Sequence, residues 1–126
     1  MGRGPEVTGD AAGSSCAIEE RQIGDISVVS VAGTVDMLTA PQLQQAISAA
    51  GQRPPKAVVV DLKAVEFLAS AGMGVLMSAH DELTPSVRFA VVADGPVTSR
   101  PLKVVGIADV IDLYPTLDEA LAALTN

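Results

Sequence analysis

Serine, histidine and aspartate are the side chains of a hydrolytic triad, and this chain offers Ser70, His80 and Asp61. His80 is the single histidine of the sequence. If Ser70 and His80 lie on one helix, its rise of about 1.5 Å per residue separates them by about 15 Å along the axis. Nucleophilic catalysis needs the hydroxyl and the imidazole within hydrogen-bond distance. The spacing therefore excludes this hydrolase site, and we predict that the protein is not an enzyme.

Two glycines follow Ser70 closely, in the run Gly72-Met73-Gly74. The run does not complete a nucleotide-binding loop, since the third glycine, the later acidic residue and a Gly-Lys-Ser/Thr sequence are missing. Inside a helix each glycine costs about 1 kcal/mol relative to alanine. We predict that something approaches this backbone closely, either another part of the protein or a partner.

Phosphoacceptor and metal chemistry lack the residues that they require. Asp61 follows the apolar run Val58-Val59-Val60, as a receiver-domain phosphoacceptor does, but no acidic pair for a metal and no lysine after the next strand accompany it. No histidine or cysteine partner stands at metal-ligand spacing, and the single cysteine, Cys16, excludes an internal disulfide. We predict no cofactor and no metal, and we expect Asp61 to hydrogen-bond within a local turn.

Composition narrows the range of partners. The 126-residue chain carries a net charge of −7 and contains two Phe, one Tyr and no Trp. Nucleic-acid binding needs clustered Lys and Arg, and base stacking needs aromatic side chains, so we expect no nucleic-acid partner. No apolar run reaches the roughly 18 residues of a membrane span, and no signal peptide is recognisable. We expect a cytoplasmic protein without a membrane partner, present as a monomer or weak dimer.

Strand patterns alternate with helix patterns along the chain. A loose alternation predicts a strand over residues 16–22, and a run rich in β-branched residues predicts a second over 25–32, with a hairpin turn at Gly24-Asp25 between them. Apolar runs predict further strands over residues 56–61 and 88–93, and a short fifth strand is expected at 110–113. Apolar stripes at helical spacing predict helices from Thr39 as N-cap to Gly51, from Ser70 past His80, over residues 99–105, and after a capping box at residues 116–119. This alternation predicts an α/β domain with a partly parallel sheet.

Ser70 stands where the second predicted helix begins, in an exposed turn. A serine at a helix start can cap the first turn by accepting a hydrogen bond from a backbone N–H. It can also carry a phosphate, which adds about −1.5 to −2 charge at pH 7. The two roles are compatible, and the pattern predicts both.

Residues 61–76, Asp-Leu-Lys-Ala-Val-Glu-Phe-Leu-Ala-Ser-Ala-Gly-Met-Gly-Val-Leu, resemble the signature of the STAS family, in particular its bacterial anti-sigma factor antagonists. Residues 32–36 with 39–43 resemble the family's strand-to-helix segment, and residues 106–107 with 116–121 its C-terminal pattern. The resemblance spans residues 16–126, while residues 1–15, rich in glycine, are expected to form a flexible tail. It implies a single small STAS-like α/β domain, a mixed sheet of about five strands with about four helices packed on it.

The resemblance implies a binding switch without enzymatic activity. Such proteins bind an anti-sigma factor, often itself a serine-protein kinase, and thereby free a sigma factor. Phosphorylation of a serine before the second helix abolishes that binding. Ser70 matches this serine, and Asp36 with Thr39 matches the neighbouring recognition loop. The partner-binding residues implied are Asp36, Thr39, Ala69, Ser70, Ala71, Gly72, Met73 and Gly74.

The turn before the second helix departs from the family pattern. The usual Asp-Ser-Ser/Thr-Gly is replaced by Ala69-Ser70-Ala71-Gly72, so the acidic neighbour and the second hydroxyl are missing while the first hydroxyl is kept. An alternative function within the family is that of an accessory subunit of a transporter or lipid-transport complex, which would bind an ATPase.

Overall fold

The computed structural model describes residues 15–52 and 55–125. The tail expected over residues 1–15 lies outside them except for Ser15, whose carbonyl oxygen accepts a 2.9 Å hydrogen bond from the Thr34 N–H. The strands are β1 (Cys16–Ile23), β2 (Ile26–Val35), β3 (Ala57–Leu68), β4 (Arg88–Val92) and β5 (Asp112–Tyr114). The helices are α1 (Ala40–Gln52), α2 (Ser70–Leu83), α3 (Ser99–Val104) and α4 (Leu117–Thr125), and a 3-10 turn (Ile107–Asp109) follows α3.

The described strands form one five-stranded sheet in the order β1-β2-β3-β4-β5. β1 and β2 are an antiparallel hairpin that turns at Gly24, whose φ of +61° suits glycine. The pairs β2–β3, β3–β4 and β4–β5 are parallel, and a helix lies between the strands of each pair in the sequence. The predicted α/β class and mixed sheet are confirmed.

The central strand β3 is buried on both faces of the sheet. Val58 and Val60 join the larger apolar cluster, to which α1, α2 and α3 contribute side chains. Ala57 and Val59 join the smaller cluster on the other face, which α4 covers. Because side chains alternate along a strand, a strand covered on both faces appears in sequence as an unbroken apolar run.

The sequence pattern predicts that β3 ends at Asp61, but in the structure the strand continues to Leu68. Its pairing register with β2 shifts twice over this stretch. The buried positions after Asp61 therefore recur at every third residue, at Leu62, Val65 and Leu68. The period of two that identifies a strand is lost, and this is why the sequence pattern indicates an end at Asp61.

The first register shift is a β-bulge that begins at Asp61, which pairs with Ser30. The Asp61 carboxylate accepts a 3.0 Å hydrogen bond from the Lys63 N–H. The predicted local hydrogen bond of Asp61 is confirmed, although it serves a bulge inside a strand and not a strand end. Since β3 continues to Leu68, Ala69 is the single residue that joins this strand to α2.

Other boundaries also differ from prediction, among them the end of β2, which continues past Ala32 to Val35. α1 does not end at Gly51; a Cβ there would lie 2.5 Å from Leu83 Cδ2, so the glycine lets α1 pack closely on the end of α2. α3 ends at Val104, before Gly106 adopts a φ of +87°. β5 begins two residues later than predicted, because the 3-10 turn precedes it.

Candidate partner-binding site

Ser70 is the first residue of α2, and its side chain is exposed. Ala69 is the N-cap residue, with backbone angles of φ −88° and ψ 170°, and no side chain caps the helix. The prediction that Ser70 caps α2 is therefore wrong, because a capping side chain belongs to the residue before the first helical one. Among the described residues the Ser70 hydroxyl has no hydrogen-bond partner. The hydroxyl is thus accessible to a partner or to a modifying enzyme.

The start of α2 is anchored to the end of β2. The Ala69 N–H donates a 2.8 Å hydrogen bond to the Val35 carbonyl oxygen. A Cβ on Gly72 would lie 2.5 Å from Val35 Cγ1 and 2.8 Å from Leu68 Cδ1. The predicted close approach at Gly72 is confirmed, and the approaching atoms belong to the protein itself. Gly74 differs, because nothing lies within 4 Å of a Cβ built there.

Asp36 and Thr39 shape the loop between β2 and α1. Thr39 is 3% exposed; its hydroxyl donates to the Thr34 carbonyl oxygen at 2.8 Å and accepts from the Asp36 N–H at 2.9 Å. The Asp36 carboxylate accepts from the N–H groups of Leu38 at 2.9 Å and Thr39 at 3.2 Å. Thr39 precedes α1, as expected of a cap, but its hydroxyl bonds back to the strand end. The buried Thr39 side chain therefore links the β2–α1 loop to the end of β2.

Sequence analysis missed three exposed apolar side chains close to this region. Met37 and Leu38 in the β2–α1 loop are 77% and 67% exposed, and Phe67 near the end of β3 is 56% exposed. Since the carboxyl ends of parallel neighbours meet at one edge of a sheet, these residues share that edge with Ser70. We call Met37, Leu38, Phe67 and Ser70 the Ser70 surface. The available signal was the Met-Leu pair inside an otherwise polar turn.

The hydrolase geometry is absent from α2. The helix carries Ser70 at its start and His80 in its last turn, too far apart for a hydrogen bond. His80 Nδ1 is buried without a hydrogen bond, 3.6 Å from Asp81 Oδ1.

Across residues 15–52 and 55–125, no group of three or more His, Cys, Asp or Glu could hold a metal ion. In the same part of the chain, no helix has both the length and the apolar character to cross a bilayer.

Cys16 lies beside the β2–α1 loop, and its Sγ donates to Gln42 Oε1 at 3.4 Å. Burial raises the pKa of the Cys16 thiol; the Thr39 hydroxyl opposes this effect, and the Asp36 carboxylate adds to it. Since the thiolate is the reactive form, we expect iodoacetamide at pH 8 to alkylate Cys16 more slowly in the folded protein than in the protein unfolded by urea. Equal rates in the two states would show that the fold does not suppress the thiolate.

Comparison with known families identifies the class of protein. Residues 17–120 match the model of the STAS domain, which is most of the described chain. The chain belongs to the STAS domain family, as its signature segment predicted.

Known relatives narrow the class further. The anti-sigma-F factor antagonist RsfB of Mycobacterium tuberculosis (strain ATCC 25618 / H37Rv) is 39% identical over 99 residues, which cover 79% of this chain and 81% of that protein. The crystal structure of an anti-sigma factor antagonist from Mycobacterium paratuberculosis is 45% identical, with a TM-score of 0.86 over 89% of this chain and 96% of that one. The phosphorylated form of the Bacillus cell fate determinant SpoIIAA, 19% identical, has a TM-score of 0.65 over 86% of this chain and 99% of that one, a likeness of fold alone.

Proposed function

We propose that this protein is an anti-sigma factor antagonist, which binds an anti-sigma factor and thereby releases a sigma factor. The observation that carries the proposal is the 45% identity, across 89% of the chain, with an anti-sigma factor antagonist of known structure. The exposed apolar side chains of the Ser70 surface support it, because such patches mark protein interaction sites. The protein acts in the cytoplasm, where transcription takes place.

Phosphorylation of Ser70 switches this binding off. A serine-protein kinase, either the anti-sigma factor itself or a separate enzyme, supplies the phosphate. The fold tolerates the new charge, because Ser70 is exposed and the N-terminus of a helix favours an anion by about 0.3–1 kcal/mol. The first turn of α2 contains no acidic residue that would repel a phosphate. Ala69 and Ala71 add neither charge nor bulk beside it.

Burial divides the binding residues into two groups with different roles. Thr39 and Gly72 are buried, so they act by holding the β2–α1 loop and the start of α2 in place. Direct contact with the partner is assigned to the residues that solvent reaches, which are Asp36, Ala69, Ser70, Ala71, Met73 and Gly74.

Displacement of a sigma factor tests this function. When the protein is added to a preformed complex of anti-sigma factor and fluorescently labelled sigma factor, we expect the sigma factor to be released, measured as a fall in fluorescence anisotropy. The Ser70→Glu variant is the control and should release much less sigma factor at the same concentration. A complex that survives an excess of the wild-type protein would contradict the function. Co-purification with a transporter ATPase would support the accessory-subunit alternative instead.

A further inference from the structure

Gly74 lies inside α2 on its exposed side, where a glycine has no structural purpose within the described chain. Glycine destabilises a helix interior relative to alanine. Gly72, half a turn earlier, has a reason to be glycine, because Val35 and Leu68 occupy the space of its side chain. Around Gly74 there is open space to 4 Å. The missing side chain at Gly74 therefore leaves room for something that is not part of the described chain.

Gly74 lies in a groove between α2 and the segment that follows α3. The groove has a volume of about 440 Å³, and we call it the α2–α3 groove. One wall is formed by α2 and the other by residues around the 3-10 turn; the lining residues are Ser70, Met73, Gly74, Met77, Val105, Gly106, Ile107 and Val110. Ser70 is the first of them. The groove is therefore continuous with the proposed site of phosphorylation.

The second wall of the groove presents apolar side chains to solvent. Val105 is 56% exposed and Val110 is 48% exposed, and no charged residue lines the groove. Lys103, the basic residue nearest to this wall in sequence, lines a separate cleft on α3 with Arg100. An acidic protein that keeps valines exposed beside an open helix face has a surface suited to an apolar partner segment.

We propose that the α2–α3 groove receives an apolar segment of the anti-sigma factor, whose backbone comes closest to α2 at Gly74. This inference rests on the proposed function and adds a second wall, around Val105 and Val110, to the contact surface. The occupant is assigned to the partner because Ser70 lines the same groove, so that a segment seated there meets the hydroxyl that phosphorylation would modify.

Charge at the far end of the groove favours the same occupant. Asp81, whose carboxylate is exposed, lies one helical turn beyond Met77 on α2 and therefore beyond the end of the groove that is distant from Ser70. The segment that fits is therefore apolar with a basic residue at the end distant from Ser70. A second copy of this chain, with a net charge of −7, matches this surface poorly.

Three variants test the groove by titration calorimetry with the anti-sigma factor. Gly74→Ala should unfold at the same or a higher denaturant concentration than wild type, yet bind about tenfold more weakly because its methyl group occupies the contact (about 1.4 kcal/mol). Val110→Ser, on the opposite wall and outside any helix, should also weaken binding. Ser78→Ala, an exposed α2 substitution that does not line the groove, is the matched control and should bind as wild type does.

The outcomes separate the groove from the function. If wild type binds and both groove variants bind as tightly as Ser78→Ala, the groove assignment is wrong while the proposed function stands. If wild type does not bind the anti-sigma factor at all, both are rejected. Sedimentation of wild type and Val110→Ser tests the other occupant: a dimer that Val110→Ser disrupts, with partner binding unchanged, would assign the groove to a second copy and overturn the proposal.

Discussion

The Ser70→Glu variant should bind the anti-sigma factor about 30-fold to several thousand-fold more weakly than wild type, a loss of about 2–5 kcal/mol for an unpaired charge in an interface. The reason is that the exposed hydroxyl, which has no hydrogen-bond partner among the described residues, is replaced by a carboxylate that loses its water on binding. Titration calorimetry measures the difference. Ser70→Ala, which adds no charge, is the control and should keep most of the affinity.

The stability of the Ser70→Glu variant shows whether its loss of affinity arises in the interface or from a disturbed fold. Because the N-terminus of α2 favours an anion and its first turn holds no acidic residue, Ser70→Glu should unfold at the denaturant midpoint of wild type or slightly above it. If Ser70→Glu stays folded and binds as tightly as wild type, charge at Ser70 does not control the interaction.

Gly72→Val is expected to destabilise the fold by about 1–3 kcal/mol, the usual cost of overpacking. Its Cβ would lie 2.5 Å from Val35 Cγ1 and 2.8 Å from Leu68 Cδ1, so the start of α2 has to move away from β2 and β3. Urea unfolding monitored by circular dichroism measures the change. Gly74→Ala, at a site with open space, is the control that separates packing from the general effect of replacing a helix glycine. Wild-type stability of Gly72→Val would mean that α2 is not tightly seated.

Much of the fold was predictable because it follows from local patterns. The valine run of β3 indicates a strand covered on both faces, and the structure buries Val58 and Val60 on one face and Val59 on the other. The hairpin turn at Gly24-Asp25 and the start of α4 after Thr116 depend on nearby residues alone. These features need no knowledge of which distant segments meet.

The role of Ser70 in the helix start could not be predicted from the residue itself. Serine is a preferred N-cap, but the cap position depends on where the preceding strand ends. Two bulges carry β3 on to Leu68, and Ala69 then becomes the N-cap. Bulges alter the spacing of buried residues without leaving a clear mark in the sequence. Because the N-cap is Ala69 and not Ser70, the Ser70 hydroxyl does not cap α2 and stays accessible.

Parts of the candidate site depend on segments that are distant in sequence. The α2–α3 groove brings Gly74 together with Val110, and the pattern of either segment alone does not indicate the other. Thr39 shows a related limit. The family resemblance predicts its place in the recognition loop, but neither its burial nor the hydrogen bond from its hydroxyl to the Thr34 carbonyl oxygen follows from the sequence pattern.

The most direct test of the central claim is the dissociation constant of the anti-sigma factor complex before and after phosphorylation of Ser70. The protein is incubated with ATP and the serine-protein kinase, the modified residue is located by mass spectrometry, and both forms are titrated against the anti-sigma factor. We predict that the phosphate is on Ser70 and that affinity falls at least about 30-fold, with the fold unchanged. Equal affinity of the two forms, with Ser70 fully phosphorylated, would contradict the account.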